Sequence, residues 1–264
     1  MLSRTSLGLL SSGTVADPTS IEGLAEMPYA FETTRIEYSQ LNVPVPVGAW
    51  RSVGHSFNAF FAEGFTDELA HAAGKDPFAF RKEMMGDRHP RLLRVLEEAA
   101  KRAGWGTPKA DGLGRGIAAH HSFRSYCAQV VDARVVDGRI KVERVVCAFD
   151  CGTVINPDVV KAQMEGAIIF GLAAALDQEI TFVDGVVQQS NFDDFPLLRM
   201  HEAPEIEVYV IDSDADPTGA GEPGLPPVAP ALANALYDAT GVRVRRMPMQ
   251  RELTHALAMK GGAK

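Results

Sequence analysis

Gly219-Ala220-Gly221-Glu222-Pro223-Gly224-Leu225-Pro226-Pro227 is a glycine-dense loop holding a single carboxylate. It feeds straight into an apolar run. Val228, Ala231, Leu232, Ala235, Leu236 and Ala239 recur at the spacing of one α-helical face. Pro226 and Pro227 suit the first turn of that helix, and Gly241 suits its C-terminal cap. Glycines ahead of a helix let the backbone approach a ligand, and the helix N-terminus offers free N–H groups. The pattern therefore predicts that Glu222 stands where a ligand can sit. On its own, such a loop reads more simply as a tight turn with a solvated glutamate.

Outward from this loop the chain divides into three textures. Residues 1–49 lack strong periodicity, and Val43-Pro44-Val45-Pro46-Val47-Gly48 has to be extended. So long a stretch without regular structure reads as chain that wraps on something else. Residues 50–104 open on the loop Trp50-Arg51-Ser52-Val53-Gly54-His55-Ser56 and continue as a helical block. Phe57, Phe60, Phe61, Phe65, Leu69 and Ala73 keep mostly to one face of its first helix, which Gly74 ends. Asp76-Pro77 starts a short helix through Met85, and Pro90 opens another that Gly104 caps.

Residues 105–264 are mixed. Gly106, Gly112, Gly114 and Gly116 mark a loop. Strands are expected at 127–136 and 139–149 around Asp137-Gly138, a strong hairpin dipeptide. Asn156-Pro157 starts a helix over 157–176, in which Gly166 and Gly171 imply close packing. A second hairpin turns at Asp184-Gly185, and residues 205–211 alternate as a strand. Arg243, Arg245 and Arg246 fall in a short final strand or tail. The fold class expected is α+β, a helical block followed by mixed strands and helices.

Composition narrows the function. The 264 residues are 46% hydrophobic and carry a net charge of −8, which suits a globular protein and argues against nucleic-acid binding. Cys127, Cys147 and Cys151 make no disulfide framework and read as buried or partly buried thiols. The histidine pair His120-His121 reads as a surface or loop pair rather than a metal site. No run approaches the roughly 18 apolar residues of a membrane span. Met1 to Ala16 makes a poor secretory signal, with one arginine and a short apolar patch.

Three glycine-containing loops, at 50–56, 150–157 and 219–224, recur at element boundaries. Gln163 follows the second, and its amide can both donate and accept. In order, the chain presents Trp50-Arg51-x-x-Gly54, Asp150-Cys151-Gly152-x-x-x-Asn156-Pro157, Gln163-x-Glu165-Gly166-Ala167 and Gly219-x-Gly221-Glu222-Pro223. That series resembles the molybdenum-binding subunits of the xanthine dehydrogenase family. The branch it is most similar to is the isoquinoline 1-oxidoreductase β-subunit type with its aldehyde-oxidising relatives. Asn191 to Met200 also looks like that branch, and the resemblance covers about residues 25–250.

The resemblance implies a catalytic base at Glu222, which would take a proton from a molybdenum-bound hydroxyl as that oxygen attacks an electron-poor carbon. It implies Arg51 at the active site near the substrate, and Gly54 in the same arginine loop. Gln163, Gly219, Ala220 and Gly221 would contact the cofactor, joined by Ser125 and Asn156. The cofactor implied is a molybdenum–molybdopterin dinucleotide, the cytosine form, with the metal held through the pterin dithiolene and no protein ligand. Electrons would leave to 2Fe–2S clusters in a partner iron–sulfur subunit, because this chain lacks their cysteine spacing. The substrate would be a small N-heteroaromatic or aldehyde. Family subunits are longer, so the chain is expected to match their C-terminal part and to pair with the N-terminal portion of the molybdenum subunit. The compartment implied is cytoplasmic or periplasmic. Two rival readings stand beside this one. One is a noncatalytic piece that completes a partner's fold. The other is a hydrolase pairing Glu222 with Asp193 or Asp194.

Overall fold

The computed structural model describes residues 18–39, 41, 45 and 48–261. The expectations for residues 1–16, and for most of the 43–47 run, fall outside them. After a 3-10 helix at Pro18–Ile21 come α1 (Val53–Ala72), α2 (Pro77–Met85) and α3 (Pro90–Ala103). Strands β1 (Gly114–Ser122), β2 (Ser125–Val136) and β3 (Arg139–Asp150) follow, then α4 (Pro157–Leu176). The hairpin β4 (Phe182–Val183) and β5 (Val186–Val187) leads to β6 (Glu205–Val210), α5 (Val228–Thr240) and α6 (Met249–Gly261). The expected α+β class holds.

The main sheet runs β1-β2-β3-β6. The first three strands form an antiparallel meander, and β6 returns parallel to β3 after the α4 crossover. Alternation along each strand sends side chains to opposite faces. Ala118, Cys127, Val131, Cys147 and Phe149 meet α4, α5 and α6 on one face. Ile117, Ala119, Ala128, Val130, Val146 and Ala148 meet α3 on the other. The end of β3, the end of β6 and the start of β2 therefore lie at one end of the sheet, where Tyr126 stands opposite Asp150.

Two elements depart from the sequence reading. Residues 114–122 form a strand, not a loop. Gly114 and Gly116 are there because α5 lies directly on that strand. A Cβ on Gly116 would come within 2.2 Å of the Ala231 carbonyl oxygen, and one on Gly114 within 1.9 Å of that of Ala235. The β1–β2 turn is Phe123-Arg124, with φ of 52° and 63°, a left-handed pair with no glycine to announce it. Residues 249–261, past the short strand or tail expected around Arg243 to Arg246, form a helix, α6. Only Met249 and Leu253 of its apolar residues are buried, which gives a weak periodic signal.

Helix α1 carries charge on its inner face. Phe57, Phe61 and Phe65 face outward while Phe60 is buried in the core, and the inner face also carries Asn58, Glu63, Thr66 and Asp67. The reason is the free edge of β1. Glu63 Oε2 accepts the Ala119 N–H at 3.0 Å and Arg81 Nε at 2.9 Å, while Tyr29 donates to its other oxygen. Asp67 accepts Arg243 at 2.8 Å. Arg81 is fully buried, with burial disfavouring its charge and Glu63, Tyr29 and Asp67 together more than restoring it. Paired this way, the charges can stay inside.

Helix α4 also differs from expectation. Its 20 residues hold an 18-residue window with a mean hydropathy of 1.5, long and apolar enough to cross a membrane by length and composition. Here half of that window is buried within the fold, where Met164, Ile168 and Leu172 pack on the sheet. Gly171 meets Val228 closely, as expected of a packing glycine, whereas a Cβ on Gly166 would meet nothing within 4 Å.

Candidate active site

The loop after β6 ties together the sheet end described above. At its start Thr153 N–H donates to the Ala215 carbonyl at 2.8 Å. Gly152, with φ of 75°, permits this approach, since a Cβ there would lie 2.1 Å from the Asp216 carbonyl oxygen. Thr218 N–H then donates to the Cys151 carbonyl at 2.9 Å. Ser125 Oγ donates to the Gly219 carbonyl at 2.6 Å and lies 2.7 Å from Thr218 Oγ1. Further along, Gln129 Nε2 donates to the Gly224 carbonyl at 2.6 Å, and Met164 fills the space a Cβ on Gly224 would need.

Between these anchors stand Gly221 and Glu222. Arg51 Nε donates to the Gly221 carbonyl at 2.9 Å, and its guanidinium reaches Gln163 Oε1 at 3.2 Å. Burial lowers the Arg51 pKa, partly offset by the nearby Glu222 charge. Ser52 N–H donates to Glu222 Oε2 at 2.7 Å, and Ser52 Oγ donates to the Glu222 carbonyl at 2.8 Å. Glu222 Oε1 makes no bond to a described residue. Helix α5 begins only at Val228, with Pro227 as its N-cap. The amide that reaches the carboxylate is therefore that of Ser52, not one from the helix that follows it. Ser52 and Val53 both carry positive φ, 73° and 48°. For non-glycine residues, one of them β-branched, this is sparsely populated backbone of the kind that gathers at functional sites.

The structure thus brings Arg51, Gln163, Gly221 and Glu222 into one cluster, with Gly219 and Ser125 one step behind it. Three expected contact residues have other work in this fold. Gly54 admits the Thr19 carbonyl, which a Cβ would approach to 1.8 Å. Asn156 caps α4, accepting from Asp158 N–H at 3.1 Å and Val159 N–H at 3.2 Å. Ala220 packs against the core. Asp194 accepts N–H groups from Ser190 and Asn191 inside its own turn, which lowers its pKa.

Sequence reasoning missed several supports. Ser52 occupies an unspecified position of the arginine loop. Buried Asp150 is gripped by Arg91 at 2.8 Å and 2.5 Å and by Gly152 N–H at 3.0 Å. Burial raises its pKa, but these bonds more than offset that and leave it lowered. His120 is not a surface residue: it is buried, with its Nε2 3.0 Å from His55 Nδ1. Burial, with His55 and His121 nearby, pushes its pKa down to about 3, so the pair is neutral near pH 7. Beside the cluster lies an apolar hollow of about 530 Å³ that Trp50, Val53, Phe57, Leu225 and Ala229 help line.

Comparison with known proteins adds a second line. Residues 93–204 match the family model of the molybdopterin cofactor-binding domain. The beta chain of isoquinoline 1-oxidoreductase from Brevundimonas diminuta is 36% identical over 211 residues, covering 78% of this chain and 27% of that protein. A nicotinate dehydrogenase subunit from Pseudomonas putida is 32% identical over 262 residues, covering 92% of this chain and 22% of that protein. The chain therefore spans about a quarter of the length of these relatives. Among solved structures, quinoline 2-oxidoreductase from Pseudomonas putida 86 shares the fold, with a TM-score of 0.71 at 11% identity over 81% of this chain and 53% of the other. Aldehyde oxidoreductase from Desulfovibrio desulfuricans does so with a TM-score of 0.66 at 16% identity, over 79% of this chain and 41% of the other.

Proposed function

This chain belongs to the molybdopterin-binding subunits of the xanthine dehydrogenase family, and from that premise we propose that it carries the catalytic base of a molybdenum hydroxylase. The observation that carries the proposal is the state of Glu222. One carboxylate oxygen is fixed by the Ser52 N–H, and the other has no partner among the described residues. A base held by one oxygen keeps its orientation while the second is available for a proton.

The residues fit the cofactor. Gln163 spends its carbonyl on Arg51 and leaves its amide N–H₂ group without a described partner. Gly221 is exposed, and a Cβ on it would meet nothing within 4 Å, so there is open space next to Glu222. The Arg51 guanidinium adds a positive charge beside that space. A polar, anionic pterin is matched by such a set. When bound, the molybdenum–pterin supplies the two-electron oxidation and a water-derived oxygen.

The chain's own residues then do three things. Arg51 and Gln163 tie α4 to the Gly221 carbonyl and so fix where Glu222 begins. Ser52 orients the carboxylate. Glu222 Oε1 accepts the proton lost as the new carbon–oxygen bond forms. The apolar hollow beside Trp50 and Val53 would hold a small aromatic ring or aldehyde and exclude water. A cytosine dinucleotide form of the cofactor, and an iron–sulfur partner taking the electrons, complete the proposal. The named relatives of the isoquinoline and nicotinate type favour an N-heteroaromatic substrate.

The test is molybdenum analysis of the assembled enzyme, with dye reduction measured against isoquinoline, nicotinate and benzaldehyde. Stoichiometric molybdenum and ring-dependent reduction are expected. Absence of molybdenum, or full turnover in Glu222→Gln, overturns the reading.

A further inference from the structure

Helix α1 buries Phe60 in the core and presents its other three phenylalanines to solvent. Phe57, Phe61 and Phe65 are spaced a helical turn apart and are 43%, 56% and 59% exposed. The inner face holds Glu63 and Asp67, nearly fully buried, in ion pairs with Arg81 and Arg243. A surface helix normally does the opposite and turns its apolar stripe to the core. Rotating α1 to hide its phenylalanines would strand Glu63 and Asp67 and bare the β1 edge, so its orientation is set from inside. The aromatic stripe is left for something else to cover.

The stripe is not isolated. Phe57 lines the apolar hollow together with Trp50 and Met247. Trp50 stacks on Phe170 with ring centroids 5.0 Å apart, and both rings are more than a third exposed. Trp50, Phe57, Phe61, Phe65, Phe170 and Met247 thus make one aromatic-rich surface that starts beside Arg51 and runs along α1. Aromatic residues, methionine and few charges are the composition of an interface core. A contiguous patch of this kind marks an interaction site.

We infer that this surface is where the remaining polypeptide of the molybdenum subunit docks, closing the hollow beside Glu222. The inference rests on the functional reading above. The choice of occupant follows from two observations. The relatives carry about three-quarters of their length outside the stretch this chain matches, and that polypeptide must meet this part of the fold somewhere. The patch is also continuous with the Arg51–Glu222 cluster. Whatever covers it therefore also walls the substrate space, which a second copy of this chain would do only by bringing two sites face to face.

The test is photo-crosslinking in cells of the organism that carries the gene. A tagged chain carries p-benzoylphenylalanine in place of Phe61 or, separately, Phe65, with a third chain substituted at exposed Asp111 as control. The expected result is a cross-link from 61 and 65, absent from 111. Peptide sequencing should assign it to the molybdenum-subunit segment that lies outside this chain's match, whether on the same or another polypeptide. Cross-links to a second copy, to an iron–sulfur polypeptide, or none from either position overturn the inference. Phe61→Lys combined with Phe65→Lys should cut co-purification of that segment about tenfold or more. Both sites are exposed, so the chain's own Tm should hold. Molybdenum in the same preparation separates the two proposals: metal present without the cross-link sinks only the docking surface, and metal absent sinks the function.

Discussion

The backbone N–H of Ser52 donates to Glu222 Oε2 at 2.7 Å, across 170 positions of sequence. The same serine's hydroxyl donates to the Glu222 carbonyl at 2.8 Å. One residue thus holds both the side chain and the main chain of the proposed base. Glu222→Gln should lower kcat by roughly 100-fold or more with molybdenum content unchanged, since an amide cannot take the proton. Ser52→Ala keeps the N–H bond and removes only the hydroxyl, so kcat/KM should fall by about tenfold or less. Steady-state kinetics on the assembled enzyme, paired with metal analysis, checks both.

Gly116→Ala should be more damaging than its size suggests. The added Cβ meets the Ala231 carbonyl oxygen and the Ala235 nitrogen, both at 2.2 Å, and neither is a movable side-chain tip. Helix α5 has to lift off β1, at a cost of about 3 kcal/mol. Thermal unfolding should show this. Gly166→Ala, where the new Cβ meets nothing, should leave Tm unchanged or raised.

Asn156 separates two roles. Its side chain accepts from Asp158 and Val159 as the N-cap of α4. Asn156→Ala should cost about 1 kcal/mol, and Asn156→Asp should restore nearly all of it. If capping is its whole contribution, Asn156→Asp binds molybdenum cofactor as wild type does. Reduced metal content at unchanged stability would instead return Asn156 to the cofactor.

Acid should weaken the fold well above the carboxylate range. His120 is pushed down to about 3 in the folded state, chiefly by burial, while the unfolded chain titrates at the usual histidine value. Between those limits the unfolded state binds more protons, so stability falls as pH drops below about 6.5. His55, His89 and His121 are also lowered and act in the same direction. Asp150, itself lowered, adds its loss only below the normal aspartate value. Denaturant midpoints from pH 7.5 to 4.5 should decline steadily. His120→Asn should flatten the slope without abolishing it.

Much of this was legible in the residues. Turn dipeptides with glycine and helices opened by proline and closed by glycine follow from the sequence, and the family resemblance implied the grouping of Arg51, Gln163, Gly221 and Glu222. The failures have specific causes. Gly114 and Gly116 read as loop because glycine signals both a turn and a close approach, and only the position of α5 distinguishes them. Phe123-Arg124 makes a left-handed turn with residues that do not advertise one. The charged inner face of α1 is not legible, because Glu63 and Asp67 have partners, Arg81 and Arg243, that no local pattern reveals. Ser52 grips the Glu222 carboxylate through its backbone amide, which side-chain identity does not encode.

The loop from Ala215 to Gly224 has a consequence for how this chain can change length. It is pinned to Thr153, Cys151, Ser125, Arg51, Ser52 and Gln129 in turn, at intervals of one to three residues. No interval has slack to absorb an added residue. An insertion would carry Glu222 past Ser52 and shift every later anchor by a full peptide unit. The segment 178–203, tied mostly to itself, has no such fixed gauge. Variation in length across relatives of this fold should therefore collect between α4 and β6 and stop short of Ala215.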